Sequence, residues 1–212
     1  MALTYNDITV KYNDTSVKLI LSIFFLTSLT HVYNGYGQEA KSEIPKEKQT
    51  VLGLYLTAKE AYEKWQADPG KVKILDVRTP EEYIFIGHAE MAWNIPLAFQ
   101  TYEWDATKEH YSIKPNPDFV DLVKDQFGPE DTILVICRSG GRSARAINLL
   151  AESGFNNIYN IIDGMEGDMI NHPESLYKGK RMKNGWKNSE LPWTYQINPD
   201  KMKFPEELKN IP

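Results

Sequence analysis

The side chain in this sequence best suited to covalent chemistry is its only cysteine, Cys137. It directly follows an apolar run, residues 133–136, and two glycines and two arginines occupy four of the next five positions. A structural cysteine acts as a small apolar side chain and has no need of such neighbours. A lone cysteine in this setting is typical of a free, reactive thiol.

The residues after Cys137 predict a site that binds anions and favours the thiolate. Gly140 and Gly141 allow a tight curl of backbone that turns successive N–H groups inward. The helix predicted from Ser143 adds the positive end of its dipole. Because the thiolate is the nucleophilic form, we predict that Cys137 is the nucleophile. The residues predicted to bind the substrate are Arg138, Ser139, Gly140, Gly141, Arg142 and Ser143.

Strand-like and helix-like segments alternate along the chain. Capping-box patterns at Thr57 and Thr79 predict two helix starts, and Gly154 is a candidate helix C-cap. Strands are predicted at residues 54–56, 73–77, 93–95, 133–136 and 158–162, with helices at 58–65, after Thr79, 117–127 and 143–153. This alternation predicts a single α/β domain with a parallel sheet and helices on both faces. Ligands of such sheets bind beyond the carboxyl ends of the strands, where Cys137 stands.

Several motifs occur in an order that resembles the rhodanese homology domain, over roughly Leu54 to Trp193. They are residues 75–83, Gly87-His88, Asn94-Ile95-Pro96 and the loop 137–142. The resemblance implies a rhodanese-like α/β fold. It also implies that Cys137 takes a sulfane sulfur from a donor such as thiosulfate and passes it to cyanide or a thiol. No metal and no organic cofactor are implied.

By position, the resemblance makes Arg142 the arginine that closes the loop and Arg138 a contributor to substrate electrostatics. Asp76 and Arg78 resemble the supporting residues beneath the loop, and we expect them to form a buried ion pair rather than to touch the substrate.

Two further polar residues of these motifs have structural explanations. We expect Glu82 to cap a helix and His88 to be structural. The other histidines, His31, His110 and His172, show no metal-ligand spacing.

The first functional hypothesis is a sulfurtransferase that uses a small sulfur-containing anion as donor and a thiol or cyanide as acceptor. The alternative is a non-turnover sulfur carrier or binding module that docks a dedicated partner protein. Related dual-specificity phosphatases carry one more loop residue, so the four residues between Cys137 and Arg142 favour a smaller sulfur species. A net charge of −5, without a Lys/Arg cluster, argues against nucleic-acid binding.

The N-terminal apolar run, residues 19–29, has the length of a signal-peptide core rather than of a membrane span. Gly35 and Gly37 place small residues before a cleavage site at Gln38. We predict a signal peptide (1–37), a flexible mature N-terminus (38–50), a rhodanese-like domain (51–195) and a C-terminal tail (196–212). The protein would be periplasmic or secreted, with no membrane attachment after cleavage. An uncleaved anchor and an apolar helix packed on the domain are the alternatives.

Two segments depart from the family pattern. Residues 163–168 read DGMEGD, where many relatives have a Gly-Gly-Met stretch that ends in Trp. The second is an insertion over residues 99–113, with Tyr102, Trp104 and Tyr111. We interpret the insertion as a solvated loop whose aromatic side chains anchor it to the core; a lip over the pocket or a docking surface is the alternative.

Overall fold

The computed structural model describes residues 43–209. The strands in this range are β1 (Tyr55–Leu56), β2 (Val72–Asp76), β3 (His88–Ala89), β4 (Trp93–Asn94), β5 (Ala98–Asp105), β6 (His110–Pro115), β7 (Thr132–Ile136), β8 (Ile158–Ile161) and β9 (Trp193–Thr194). The helices are α1 (Ala58–Ala67), α2 (Pro80–Ile86), α3 (Phe119–Gln126), α4 (Gly141–Glu152) and α5 (Glu206–Lys209). Short 3-10 turns form at Lys46–Lys48 and Pro199–Lys201.

A five-stranded parallel sheet forms the centre of the fold, in the order β1-β8-β7-β2-β4. Its alternate side chains enter two separate hydrophobic clusters, as expected for strands that point successive residues to opposite faces. Buried residues of α3 and α4 pack in one cluster, and those of α1 and α2 pack in the other. The predicted α/β fold with helices on both faces is confirmed.

Local sequence signals account for where the helices begin and end. Both predicted capping boxes form: Thr57 caps α1 with Glu60, and Thr79 caps α2 with Glu82. Such a cap stabilises a helix by about 1 kcal/mol. At the end of α4, Gly154 has a positive φ, and the N–H of Phe155 donates to the carbonyl of Leu150. This is the glycine C-cap that the sequence predicts.

Residues 44–50 differ from the flexible segment that the sequence predicted. The Lys46–Lys48 turn lies against α4, and Lys48 is only 8% exposed. Its ammonium group donates to Asp168 at 2.7 Å, and its carbonyl accepts from Asn160 at 2.9 Å. A buried lysine with a carboxylate partner holds this segment in place. The predicted signal peptide, residues 1–37, lies outside the described residues, and no helix within residues 43–209 is long and apolar enough to cross a bilayer.

The predicted insertion and C-terminal tail both form defined structure. Residues 98–115 form the antiparallel hairpin β5–β6 rather than a solvated loop. Tyr102, Trp104 and Tyr111 are 96%, 56% and 54% exposed, so the expectation that they anchor the segment to the core is wrong. In the described part of the chain the two strands of the hairpin pair only with each other, and these three side chains face solvent. In the tail, the N–H of Lys203 donates to Asn94, which extends the edge of the central sheet beyond β4.

Candidate active site

Cys137 lies at the carboxyl end of β7, the middle strand of the central sheet. Cys137 is only 1% exposed. A reactive thiol is expected to be more accessible to solvent than this. The Gly140 N–H donates to Sγ at 3.1 Å, and the Ser143 hydroxyl oxygen lies 3.3 Å from Sγ. The loop therefore turns an amide inward onto the sulfur, as the glycines predicted.

Asn160, on β8, connects the loop to the rest of the sheet. Its amide nitrogen donates to the carbonyls of Gly140 and Lys48, so its amide oxygen must act as an acceptor. The Ser143 hydroxyl donates to that oxygen at 2.6 Å. Since a hydroxyl has one proton, Ser143 donates to either Asn160 or Cys137 at any moment. The Ser143 hydroxyl can therefore accept from a neutral Cys137 thiol while it donates to Asn160, or donate to the thiolate instead.

The loop is packed tightly against the segment that follows β8. The N–H groups of Met165 and Glu166 donate to the carbonyls of Cys137 and Arg138, at 2.8 and 3.0 Å. Gly140 and Gly164 both have positive φ. A Cβ at Gly140 would collide with the Ile162 carbonyl, and one at Gly164 would lie 2.6 Å from the Cys137 carbonyl oxygen. Both positions therefore require glycine.

Arg142 joins the loop to α2 through a two-pronged ion pair with Glu82. The N–O distances are 2.5 and 2.6 Å, and both side chains are largely buried. Burial alone would raise the pKa of Glu82, but the hydrogen bonds and charge of Arg142 outweigh it and hold that pKa below its ordinary value. Since Glu82 also accepts from the Thr79 N–H, one carboxylate caps the helix and closes the loop.

Asp76 and Arg78 form the predicted buried ion pair at the end of β2, beside β7. The Asp76 carboxylate accepts from Arg78 Nε at 2.9 Å and from Nη2 at 2.6 Å. Nη2 also donates to the Gly87 carbonyl, and Asn94 donates to the Arg78 carbonyl. Burial lowers the pKa of Arg78, but the Asp76 charge outweighs this and raises it. The pair fixes the chain at the end of β2, where the Val77 N–H donates to the Ile136 carbonyl, one residue before Cys137.

His88 has a structural role, as the sequence predicted. Its Nδ1 lies 3.1 Å from the Tyr83 carbonyl oxygen, and its ring stacks on Tyr83 at 3.7 Å between centroids. Burial lowers the pKa of His88, which keeps the ring neutral at neutral pH. Across residues 43–209, no group of three or more His, Cys, Asp or Glu side chains is placed to hold a metal ion.

A family model, the rhodanese-like domain, matches residues 57–169, which is more than half of the sequence. The chain belongs to the rhodanese family. The match ends just after the segment that packs on the cysteine loop, so the whole loop lies inside it. The hairpin β5–β6 also lies within the matched region, whereas residues 170–209 lie beyond it.

Similar proteins include one rhodanese relative named for its activity. Thiosulfate sulfurtransferase 16, chloroplastic, of Arabidopsis thaliana is 39% identical over 92 residues, which cover 43% of this chain and 69% of that protein. An uncharacterized protein of Rickettsia conorii is 30% identical over 122 residues, covering 58% and 82%. The crystal structure of Rv0390 from M. tuberculosis superposes with a TM-score of 0.52 at 25% identity, covering 66% and 96%.

Of the residues predicted to bind the substrate of this rhodanese, some contact the Cys137 sulfur and others lie farther out on the loop. Gly140 and Ser143 contact the sulfur, whereas Gly141 begins α4 and Ser139 lines a pocket beside the loop. Arg138 is exposed to solvent at the loop's outer side.

Sequence reasoning missed two residues near the loop. Asn160 could have been found, because it is a polar residue inside the apolar strand predicted at 158–162. Arg181 had no signal in the sequence. It approaches the loop from a segment that no motif connects to Cys137.

Proposed function

We propose that this rhodanese is a sulfurtransferase that carries sulfane sulfur as a persulfide on Cys137. The donor is thiosulfate or a related persulfide, and the acceptor is a thiol or cyanide. The observation that carries the proposal is the sulfur's position, at the end of the central strand and beneath an inward-turned amide that donates to it. Membership of the family and the similarity to a thiosulfate sulfurtransferase support it.

The first step transfers sulfur to the enzyme. The Cys137 thiolate attacks the outer sulfur of thiosulfate, and a new S–S bond forms as the S–S bond of thiosulfate breaks. The electron pair leaves with sulfite. The Gly140 N–H and the N-terminal end of α4 stabilise negative charge on the sulfur atoms, and the exposed Arg138 favours the approach of the anionic donor.

The second step returns the enzyme to its starting state. An acceptor thiolate or cyanide attacks the outer sulfur of the persulfide, and the bond to Sγ breaks with its electron pair returning to Cys137. The sequence has no second cysteine to resolve the persulfide, so the acceptor must come from outside the chain. Arg142 with Glu82, and Arg78 with Asp76, keep the loop in shape through both steps.

The burial of Cys137 favours a second candidate, a sulfur carrier that loads and unloads only when a dedicated partner protein opens the loop. Such a carrier would turn over poorly with free thiosulfate and free thiols. A measurement of turnover on small donors and acceptors separates the two functions, since both require the same cysteine.

Intact mass spectrometry after incubation with thiosulfate tests the proposal. We expect wild type to gain one sulfur atom, which cyanide then removes as thiocyanate. Cys137→Ser should gain none, because a serine hydroxyl does not form a persulfide. If the folded wild type gained no sulfur from thiosulfate while its thiol remained free to alkylation, the sulfurtransferase proposal would be wrong and the carrier would be favoured instead.

A further inference from the structure

A segment beyond the family match, residues 170–188, brings Arg181 to the outer side of the cysteine loop. One guanidinium nitrogen of Arg181 donates to the Gly167 carbonyl at 2.7 Å, and the Gly167 N–H donates to the Arg138 carbonyl at 3.3 Å. The amide of Asn188 donates to the carbonyls of Glu166 and Arg181, at 2.9 and 3.2 Å. Arg181 is thus fixed to the backbone that packs on the loop.

Arg181 and Arg138 are close enough to repel each other. Burial lowers the pKa of Arg181, and the positive charge of Arg138 lowers it further. Neither arginine forms an ion pair with a carboxylate in the described part of the chain. Glu166 and Asp168 attract Arg181 from a greater distance, but Asp168 is already bonded to Lys48. An anion bound beside Arg181 would gain a guanidinium group that no acidic side chain of the described residues pairs with directly.

An open pocket of about 440 Å³ lies at this position. Ser139 and Gly141 of the cysteine loop line one side, and Arg181 and Lys183 contribute positive charge. The Lys48–Asp168 ion pair and the Glu47 carboxylate are also part of its wall. A volume of this size is in the range of small-molecule sites and is far larger than one inorganic anion needs.

We propose that Arg181 and Lys183 bind the carboxylates of a small thiol in this pocket, so that the acceptor of the persulfide sulfur is a carboxylate-bearing thiol. The inference rests on the proposed function and names the acceptor class for it. The thiolate of the bound acceptor attacks the outer sulfur of the Cys137 persulfide, and the Sγ–S electron pair returns to Cys137. The carboxylates take no part in bond making and serve only to hold the acceptor at the loop.

Single-turnover sulfur transfer from the preloaded persulfide tests this assignment. The probes are glutathione and its diethyl ester, which share a thiol and differ in their carboxylates. We expect wild type to transfer sulfur faster to glutathione, and Arg181→Gln to lose about tenfold in second-order rate with glutathione but little with the ester, since a charge-assisted hydrogen bond is removed. Lys183→Gln should show a smaller loss in the same direction.

The matched control is Lys180→Gln, which removes the same charge from an exposed neighbour outside the pocket and should leave both rates unchanged. Equal losses with both acceptors, or no loss for Arg181→Gln, would overturn the assignment. An effect of Arg181→Gln on thiosulfate loading alone would assign the pocket to the inorganic donor instead.

Binding of S-methylglutathione, measured by calorimetry, separates this inference from the proposed function. That probe cannot accept sulfur, so its affinity reports only on the pocket. We expect Arg181→Gln to weaken it about tenfold. If wild type bound this probe but never loaded sulfur, the proposed function alone would be wrong. If wild type loaded sulfur but failed to bind the probe, the pocket assignment alone would be wrong.

Discussion

Glu82 performs two tasks that its sequence position predicts only in part. The capping-box pattern identified it as a helix cap, and it does accept from the Thr79 N–H. Its second task, the ion pair with Arg142, connects residues 60 positions apart in the chain. No local pattern predicts such a pair, because it depends on how α2 and the loop meet in three dimensions. The carboxylate thereby links the stability of α2 to the shape of the cysteine loop.

We predict that Glu82→Gln lowers the free energy of unfolding by about 2 kcal/mol at neutral pH, because it leaves Arg142 without its charged partner. The folded protein holds the pKa of Glu82 below its ordinary value of 4.5. The contribution is therefore full above that value and is lost as the pH falls through the lower folded-state pKa.

Urea unfolding of both proteins at neutral pH and well below pH 4.5 measures this difference. Glu81→Gln is the control, because Glu81 is an exposed neighbour on the same first turn of α2. A stability gap between wild type and Glu82→Gln that stayed constant across this range would contradict the electrostatic explanation.

Among the secondary-structure elements, the Lys46–Lys48 turn has the least expected role. Sequence composition predicted a flexible segment because residues 38–50 are polar and charged. Composition does not show that the carbonyl of Lys48 satisfies the buried amide of Asn160, or that its ammonium group reaches Asp168. The turn lies before the family match and packs beside the cysteine loop, against α4.

We predict that Lys48→Ala lowers the free energy of unfolding by about 1 kcal/mol, equivalent to roughly 3 °C in the melting temperature. The value is modest because Asp168 keeps a second partner, the amide of Asn184. Thermal unfolding measures the change. Lys46 is exposed in the same turn, so Lys46→Ala should have the same melting temperature as wild type. Equal melting temperatures of all three proteins would show that the Lys48–Asp168 ion pair does not stabilise the domain.

The hairpin β5–β6 is stabilised by its own cross-strand pairs rather than by the core. Trp104 and Tyr111 face each other across the strands, with ring centroids 5.3 Å apart in an edge-to-face arrangement. Tyr102 contributes nothing comparable, because it is almost fully exposed.

We predict a coupling of about 0.5 kcal/mol between Trp104→Ala and Tyr111→Ala in a double-mutant cycle of unfolding free energies. Tyr102→Ser should change stability by less than about 0.5 kcal/mol. A large destabilisation by Tyr102→Ser would mean that the hairpin is covered in solution, for example by a second copy of the chain.

For the molecule as a whole, periodicity and capping signals predicted the central sheet and its helices well. The strand at 133–136 was recognisable because a parallel strand covered on both faces is apolar throughout. The paired strands β3 and β9 and the hairpin were not predicted, since their residues alternate weakly and their partners are set by tertiary contact. The cysteine loop could be found from local sequence, whereas Lys48, Asn160 and Arg181 come together only through the fold.

The interlocked glycines, Gly140 and Gly164, limit what this scaffold can become. Lengthening the loop between Cys137 and Arg142 would push its backbone into residues 162–167, where no room remains for even one extra carbon. A single inserted residue would therefore disturb the packing of the cysteine loop on residues 162–167. It would not by itself produce a wider ring of backbone N–H groups around the sulfur. A loop large enough for a bulkier tetrahedral anion would therefore require changes in both segments together.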